Sequence, residues 1–134
     1  MKVLVDTNVW SEAFRKKGKL YSPEVSELRL LIREQRVQMI APIRMEALCG
    51  IKHQEKFDLF SKRLAAFLDR ELTEEVYVEA ARAFNYCRSK GVQGAHHDFV
   101  ICACSMLWEL PILTRDKDFE WFRRWLPIRL HVCR

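Results

Sequence analysis

Five acids in this sequence fall where a strand would end or a helix would begin. Asp6 follows the apolar run Val3-Leu4-Val5, and Glu46 lies one turn into a segment that opens with Ala41-Pro42. Asp98 begins the most apolar stretch of the chain, while Asp116 and Asp118 follow Ile112-Leu113-Thr114. In open α/β sheets, sites form beyond the carboxyl ends of the strands, and Asp6 and Asp116 sit at such ends. Asp98 and Glu46, near helix N-termini, could lean over the same edge. Two carboxylates about 5 Å apart repel by roughly 3 kcal/mol at an effective dielectric of 20. A divalent cation offsets that repulsion, and hard oxygen ligands suit Mg2+ or Mn2+. Thr7, Asn8 and Thr114 add neutral oxygens that could support the ligands from behind.

Each residue also has a plainer reading. Asp6 and Asp98 could be helix N-caps, and Glu46 a solvated helix residue. Asp116 and Asp118 could be turn formers. Capping alone, however, does not offset several like-charged pairs at one edge, so the convergence of Asp6, Glu46, Asp98 and Asp116 is the expectation to examine.

The elements that must position them read as alternating strands and helices. Residues 2–5 form a short apolar strand that stops at Asp6-Thr7-Asn8, and a helical lead-in covers residues 9–14. Ser22-Pro23-Glu24 starts a helix with a cap, a proline in the first turn and an acid suited to the helix dipole. A second strand is expected over 37–40, then a helix from Ala41-Pro42 that closes at Gly50. Phe57, Phe60, Leu64, Phe67 and Leu68 mark an amphipathic helix. The next starts at Thr73-Glu74-Glu75. Asp98 opens a helix that is apolar almost all round and so belongs at the centre of a packed domain. A third strand covers 111–114, a short aromatic helix 119–125 and a last strand 128–132. This pattern predicts one domain over residues 1–134, an α/β fold built as a three-layer α/β/α sandwich around a parallel sheet.

The 134 residues carry 49% hydrophobic and 31% charged side chains, a balance that excludes a disordered chain. The net charge of +5 favours polyanions, though many basic proteins bind none. Arg15, Lys16, Lys17 and Lys19 follow the loop after the first strand, and Arg115 and Lys117 sit among the last acids. As a group they could track a phosphate backbone; singly they read as solvated charges. Cys49, Cys87, Cys102, Cys104 and Cys133 form no CxxC, and Cys102 and Cys104 read as buried thiols of a reducing compartment. The run after Met1 is too short for a signal-peptide core, and residues 99–108 are about half the length that spans a bilayer. A cytoplasmic protein without a membrane segment is expected.

Four strings in order resemble the PIN-domain family, with the VapC toxins closest in pattern. They are Val3-Leu4-Val5-Asp6-Thr7-Asn8-Val9, Met45-Glu46-Ala47-Leu48-Cys49-Gly50, Asp98-Phe99-Val100-Ile101-Cys102-Ala103 and Leu113-Thr114-Arg115-Asp116-Lys117-Asp118-Phe119. The resemblance implies a sheet of order 3-2-1-4-5 and an acidic pocket for one or two Mg2+ or Mn2+ ions. It implies an endoribonuclease, the toxin of a type II toxin–antitoxin pair, forming homodimers and inhibited by a small antitoxin. Asp6, Glu46 and Asp98 match the three core acids of that family, Asp116 a more variable fourth. Asp118 matches an acid whose role as a ligand is less fixed, and Thr114 a hydroxyl near the pocket. Metal at the scissile phosphate would polarise the phosphoryl oxygen and activate an attacking water. His96-His97 departs from the pattern, and so do the two cysteines in the apolar helix.

Two other functions compete. A haloacid-dehalogenase-type phosphohydrolase needs Asp-x-Asp after its first strand, where this chain has Asn8. A catalytically inactive PIN-like module would bind RNA or a partner protein without cutting. Trp121, Phe122 and Trp125, with Phe119, suit core packing or a subunit interface better than base stacking.

Overall fold

β1 (Val3–Val5) lies between two partners in a parallel sheet, and all three of its residues are buried. The computed structural model describes residues 1–15 and 21–134. β1 pairs with β2 (Val37–Gln38) in the register Val3↔Val37, and with β3 (Ile112–Leu113) in the register Leu4↔Ile112. A parallel strand covered on both faces must be apolar without alternation, which is why Val3-Leu4-Val5 reads as a continuous run.

Seven helices accompany these strands among the described residues. They are α1 (Thr7–Arg15), α2 (Pro23–Arg33), α3 (Ala41–Leu48), α4 (Gln54–Leu64), α5 (Glu74–Ser89), α6 (His96–Trp108) and α7 (Asp118–Phe122). Ser22 caps α2, its hydroxyl accepting from the Val25 N–H. Gly50 follows α3 with φ +85°, a left-handed conformation that costs glycine nothing. Arg44 then ties α3 to the chain beyond α4 through the carbonyls of Leu64 and Phe67 and the carboxylate of Asp69.

α6 is the central helix. Phe99, Ile101, Cys102, Ala103, Cys104 and Ser105 are all buried, as its apolar circumference requires. It packs along α5 and delivers Asp98, near its N-terminus, to the sheet edge. Each fully buried Ile or Phe here contributes about 1.5–3 kcal/mol of transfer free energy. Cys102 and Cys104 are buried free thiols, and burial pushes the Cys104 thiol up to about 12, so both behave as packing groups.

The sandwich with a five-stranded sheet of order 3-2-1-4-5 is not what forms. The sheet has three strands in the order β2-β1-β3. The segment expected as a last strand, 128–132, touches β3 through one bridge, Ile112↔Leu130, flanked by hydrogen bonds from Ile112 N to Arg129 O and from His131 N to Ile112 O. Val132 beyond it is 82% exposed, so the apolar alternation there does not report a buried strand face. On the other side a single bridge, Met39↔Asp69, flanks β2. The observed molecule is an α/β fold with a small parallel sheet. No helix among the described residues is long and apolar enough to cross a membrane.

Candidate active site

The carboxyl end of β1 sets the site. Asp6 follows directly and is 4% exposed, yet both its oxygens are engaged. Oδ1 accepts from the Thr7 N–H at 2.7 Å; Oδ2 accepts from the Thr114 hydroxyl at 2.7 Å and the Asn8 amide at 3.2 Å. Thr114 comes from the end of β3, and its Oγ1 in turn accepts from the Asp116 N–H at 3.0 Å. Asn8 Oδ1 accepts from the Arg115 N–H at 3.0 Å. These bonds sew the turn after β3 to the start of α1, and they hold Asp6 in one orientation. Thr7, Asn8 and Thr114 thus all stand beside it.

Asp98 enters from the first turn of α6, where its Oδ2 accepts from the Ala95 N–H at 3.1 Å. Asp98 is not the N-cap foreseen for it: Ala95 holds that position, and Asp98, at the third helical residue, reaches back to the Ala95 N–H. Its carboxyl is pushed up to about 6, first by burial and then by the negative charges of Asp6 and Asp116; the Ala95 N–H and His97 oppose the rise. Asp6 is raised as well, by burial first, against its hydrogen bonds from Thr114 and Thr7 and the nearby His97, with Asp116 adding to the rise. The charges of Asp6 and Asp116 thus act on Asp98, and that of Asp116 on Asp6, from three separate stretches of chain.

Glu46 is half exposed and meets this space through His97, whose Nδ1 lies 3.2 Å from Glu46 Oε2 and whose Nε2 lies 3.3 Å from Thr7 Oγ1. His97 is the residue that the sequence undervalued. Its neighbour His96 packs edge-on against Phe84 and has a structural place.

The remaining candidates separate. Asp118 starts α7, donates its N–H to Asp116 Oδ1, and lines a different cavity with Trp121 and Trp125. Arg115 is engaged by the buried Glu12 at 2.8 Å, so its charge is spent within the fold. Lys117 is exposed ahead of α7. Arg15 closes α1; Lys16, Lys17 and Lys19 lie outside the described residues. Phe119 and Phe122 are core residues, whereas Trp121 and Trp125 are half exposed, each beneath a cation, Arg124 and Lys90 respectively.

The donor chemistry around Asp6, Asp98 and Asp116 suits a hard divalent cation: oxygens only, with mutual repulsion that an ion relieves. Among the described residues, though, no three His, Cys, Asp or Glu side chains stand close enough to form a ready chelating group. The pocket favours a cation electrostatically without a closed coordination shell.

No family model matches the chain, and no curated protein does. Among solved structures it is similar to a chain of FitAcB from Neisseria gonorrhoeae, at 24% identity and TM-score 0.71, covering 97% of this chain and 96% of that one. It is similar to a chain of VapBC2 from Rickettsia felis, bound to a DNA fragment from its promoter, at 16% identity and TM-score 0.78, with 98% of both chains covered. A third, FitAB bound to an IR36 DNA fragment, gives 22% identity and TM-score 0.71 over 96% and 93%. These similarities correct the identification as a VapC-like toxin of the PIN family. Likeness at such identities carries the fold alone.

Proposed function

We propose that this chain is a metal-dependent endoribonuclease that works within a toxin–antitoxin pair. The observation that carries the reading is the linkage of Asp6 to the Asp116 backbone through the Thr114 hydroxyl at the carboxyl ends of β1 and β3, with the charges of both acids acting on Asp98. Capping accounts for one oxygen of Asp98 and does not account for this grouping. Asp6, Asp98 and Asp116 would hold Mg2+ or Mn2+, with Glu46 reaching the same space. The bound ion supplies charge neutralisation at the phosphoryl group under attack. Asp6 contributes a fixed acceptor, because Thr7, Asn8 and Thr114 leave it no other orientation. Glu46, in contact with His97 and open to solvent, would bind the metal or orient an attacking water. A small partner protein, a homodimer and a cytoplasmic location belong to the same proposal. The partner is supported by the FitAB and VapBC2 complexes that share the fold.

The open spacing of the acids favours one second reading, a non-catalytic module that binds RNA or a partner. Calorimetric titration with Mn2+, followed by a cleavage assay on RNA, separates the two. Saturable Mn2+ binding and Mn2+-dependent internal cuts are expected, with Asp6→Asn abolishing the cuts while its circular dichroism matches the native chain. Unaltered cutting by Asp6→Asn would remove Asp6 from the chemistry, and no Mn2+ binding would leave the non-catalytic module.

A further inference from the structure

A second cavity, of about 290 Å³, opens beside the acids between the C-terminal ends of α1 and α3 and the start of α4. Its rim carries Arg15, Lys52, His53 and Lys56, and Phe14 and Phe60 line it as well. The two rings stack at 4.1 Å with 11° between their planes. No ion pair joins any of the four basic side chains to an acid among the described residues, unlike Arg115, Arg44 or Arg134.

Its position follows from helical spacing. Ser11 on its wall lies three and four residues beyond Asn8 and Thr7, so it shares their face of α1 one turn on. Cys49 and Gly50 on its wall follow α3 shortly after Glu46, where the backbone has left the helix. α1 therefore leads from the residues beside Asp6 to the cavity over roughly 5 Å, one helical turn. The volume sits at the lower end of small-ligand pockets, about 300–1,000 Å³, and admits one compact unit and no duplex. Cations around an aromatic floor are the combination that grips a phosphate and a base together.

We propose that this cavity is a nucleotide subsite that holds one unit of single-stranded RNA beside the reacting phosphate, Lys52 and Lys56 on its phosphate and Phe14 and Phe60 beneath its base. The inference rests on the nuclease reading for the direction of the strand, but its test does not require cleavage. A fluorescent single-stranded RNA octamer is titrated with the full chain in EDTA at several salt concentrations. Native protein is compared with Lys52→Gln/Lys56→Gln and with Lys62→Gln, a control elsewhere on α4. Loss of both cations from that one phosphate should flatten the slope of log affinity against log salt by about 0.7, the value for one neutralised phosphate on a single strand. Lys62→Gln should leave the slope unchanged, and Phe60→Leu should weaken binding with the slope retained. An unchanged slope in the double variant overturns the subsite, whether or not the chain cuts RNA. Equal displacement of the octamer by an oligoglutamate of the same charge also overturns it, since the cavity would then read charge alone. A flattened slope in a chain that cuts nothing would uphold the subsite and sink only the nuclease reading.

Discussion

His97 stands between Glu46 and Thr7, with Nδ1 3.2 Å from the carboxylate and Nε2 3.3 Å from the hydroxyl. A carboxylate only accepts, so Nδ1 must carry the proton given to Glu46, and in the neutral ring Nε2 is then the acceptor for the Thr7 hydroxyl. The ring thereby fixes the position of an otherwise half-exposed acid. Replacing His97 with Ala frees Glu46 while leaving Asp6, Asp98 and Asp116 in place. The turnover rate on RNA should fall about 10- to 100-fold, the usual loss for an outer partner of a metal-site residue. Single-turnover kinetics at saturating Mn2+ would check this, and a rate equal to native would mean that Glu46 needs no anchor.

Asp98 makes stability depend on pH in a defined direction. Its folded value of about 6 lies above the ordinary value of an unfolded aspartate, so folding takes up a proton in that range. The contribution is fully present below about 4 and is lost as pH rises through 6, leaving a repulsive acid cluster at pH 8. Asp6, raised as well, acts in the same sense. Asp98→Asn retains an acceptor for the Ala95 N–H and removes the charge. It should stabilise the chain at pH 8 by about 1 kcal/mol, a figure discounted because the carboxylate is only partly buried. The gain should shrink to about a third at pH 4.5 and vanish only below the unfolded value near 4. Urea denaturation at the two pH values measures both, and an equal shift at each would assign the effect to something other than the charge.

Asp6, Asp98 and Asp116 were legible because each stands where an apolar run ends or begins, and such boundaries map onto one sheet edge. The roles of neighbouring residues were not. His96 and His97 are adjacent in sequence but point about 100° apart on a helix, so one ring meets Phe84 and the other the acids. Asp118 follows Asp116 by two residues, and the helix it starts carries it to another cavity. The sheet was over-read for a different reason. Ile128, Leu130 and Val132 alternate as a strand does, yet hydrogen bonding reaches β3 only around Leu130, and alternation records spacing without recording a partner. The family likeness rested on four short strings in order, and the solved structures similar over the whole chain corrected it.

Gly94 couples the core to the site. A Cβ built on it would stand 2.5 Å from Cζ of Phe122 and 3.1 Å from Cε2 of Phe99. Both rings are fully buried and 4.8 Å apart, so neither can yield without moving α6 or α7. Gly94→Ala should destabilise the chain by about 1–3 kcal/mol, the cost of overpacking. Because Phe99 follows Asp98 directly, Mn2+ affinity should fall with it. Thermal melts with and without Mn2+ would show both effects; a native melting temperature would mean the rings rearrange freely.

Glu27 is a buried acid of α2 that ties residues 131 and 134 to that helix. Its side chain is 1% exposed, with His131 Nε2 at 2.6 Å and the Arg134 N–H and guanidinium at 3.1–3.3 Å. Burial alone would raise its pKa, but the bonds from His131 and Arg134 outweigh burial and leave it below the ordinary glutamate value. Glu34, paired by Arg134 and then Arg36, is lowered to about 2. For a depressed carboxyl the sign is opposite to that of Asp98. The stabilisation is present above the unfolded value near 4.5 and is lost as pH falls toward 2. Replacing His131 with Ala removes the shorter of the two contacts to Oε2 of a buried carboxylate and leaves it only the Arg134 guanidinium at 3.2 Å, at a cost of about 1–3 kcal/mol at pH 7. Glu27→Gln in the same background relieves the underpaired charge and should recover part of the loss. Chemical denaturation of the two single variants and the double variant closes the cycle. Strictly additive losses would show that Glu27 and His131 do not act as a pair, despite the 2.6 Å between them.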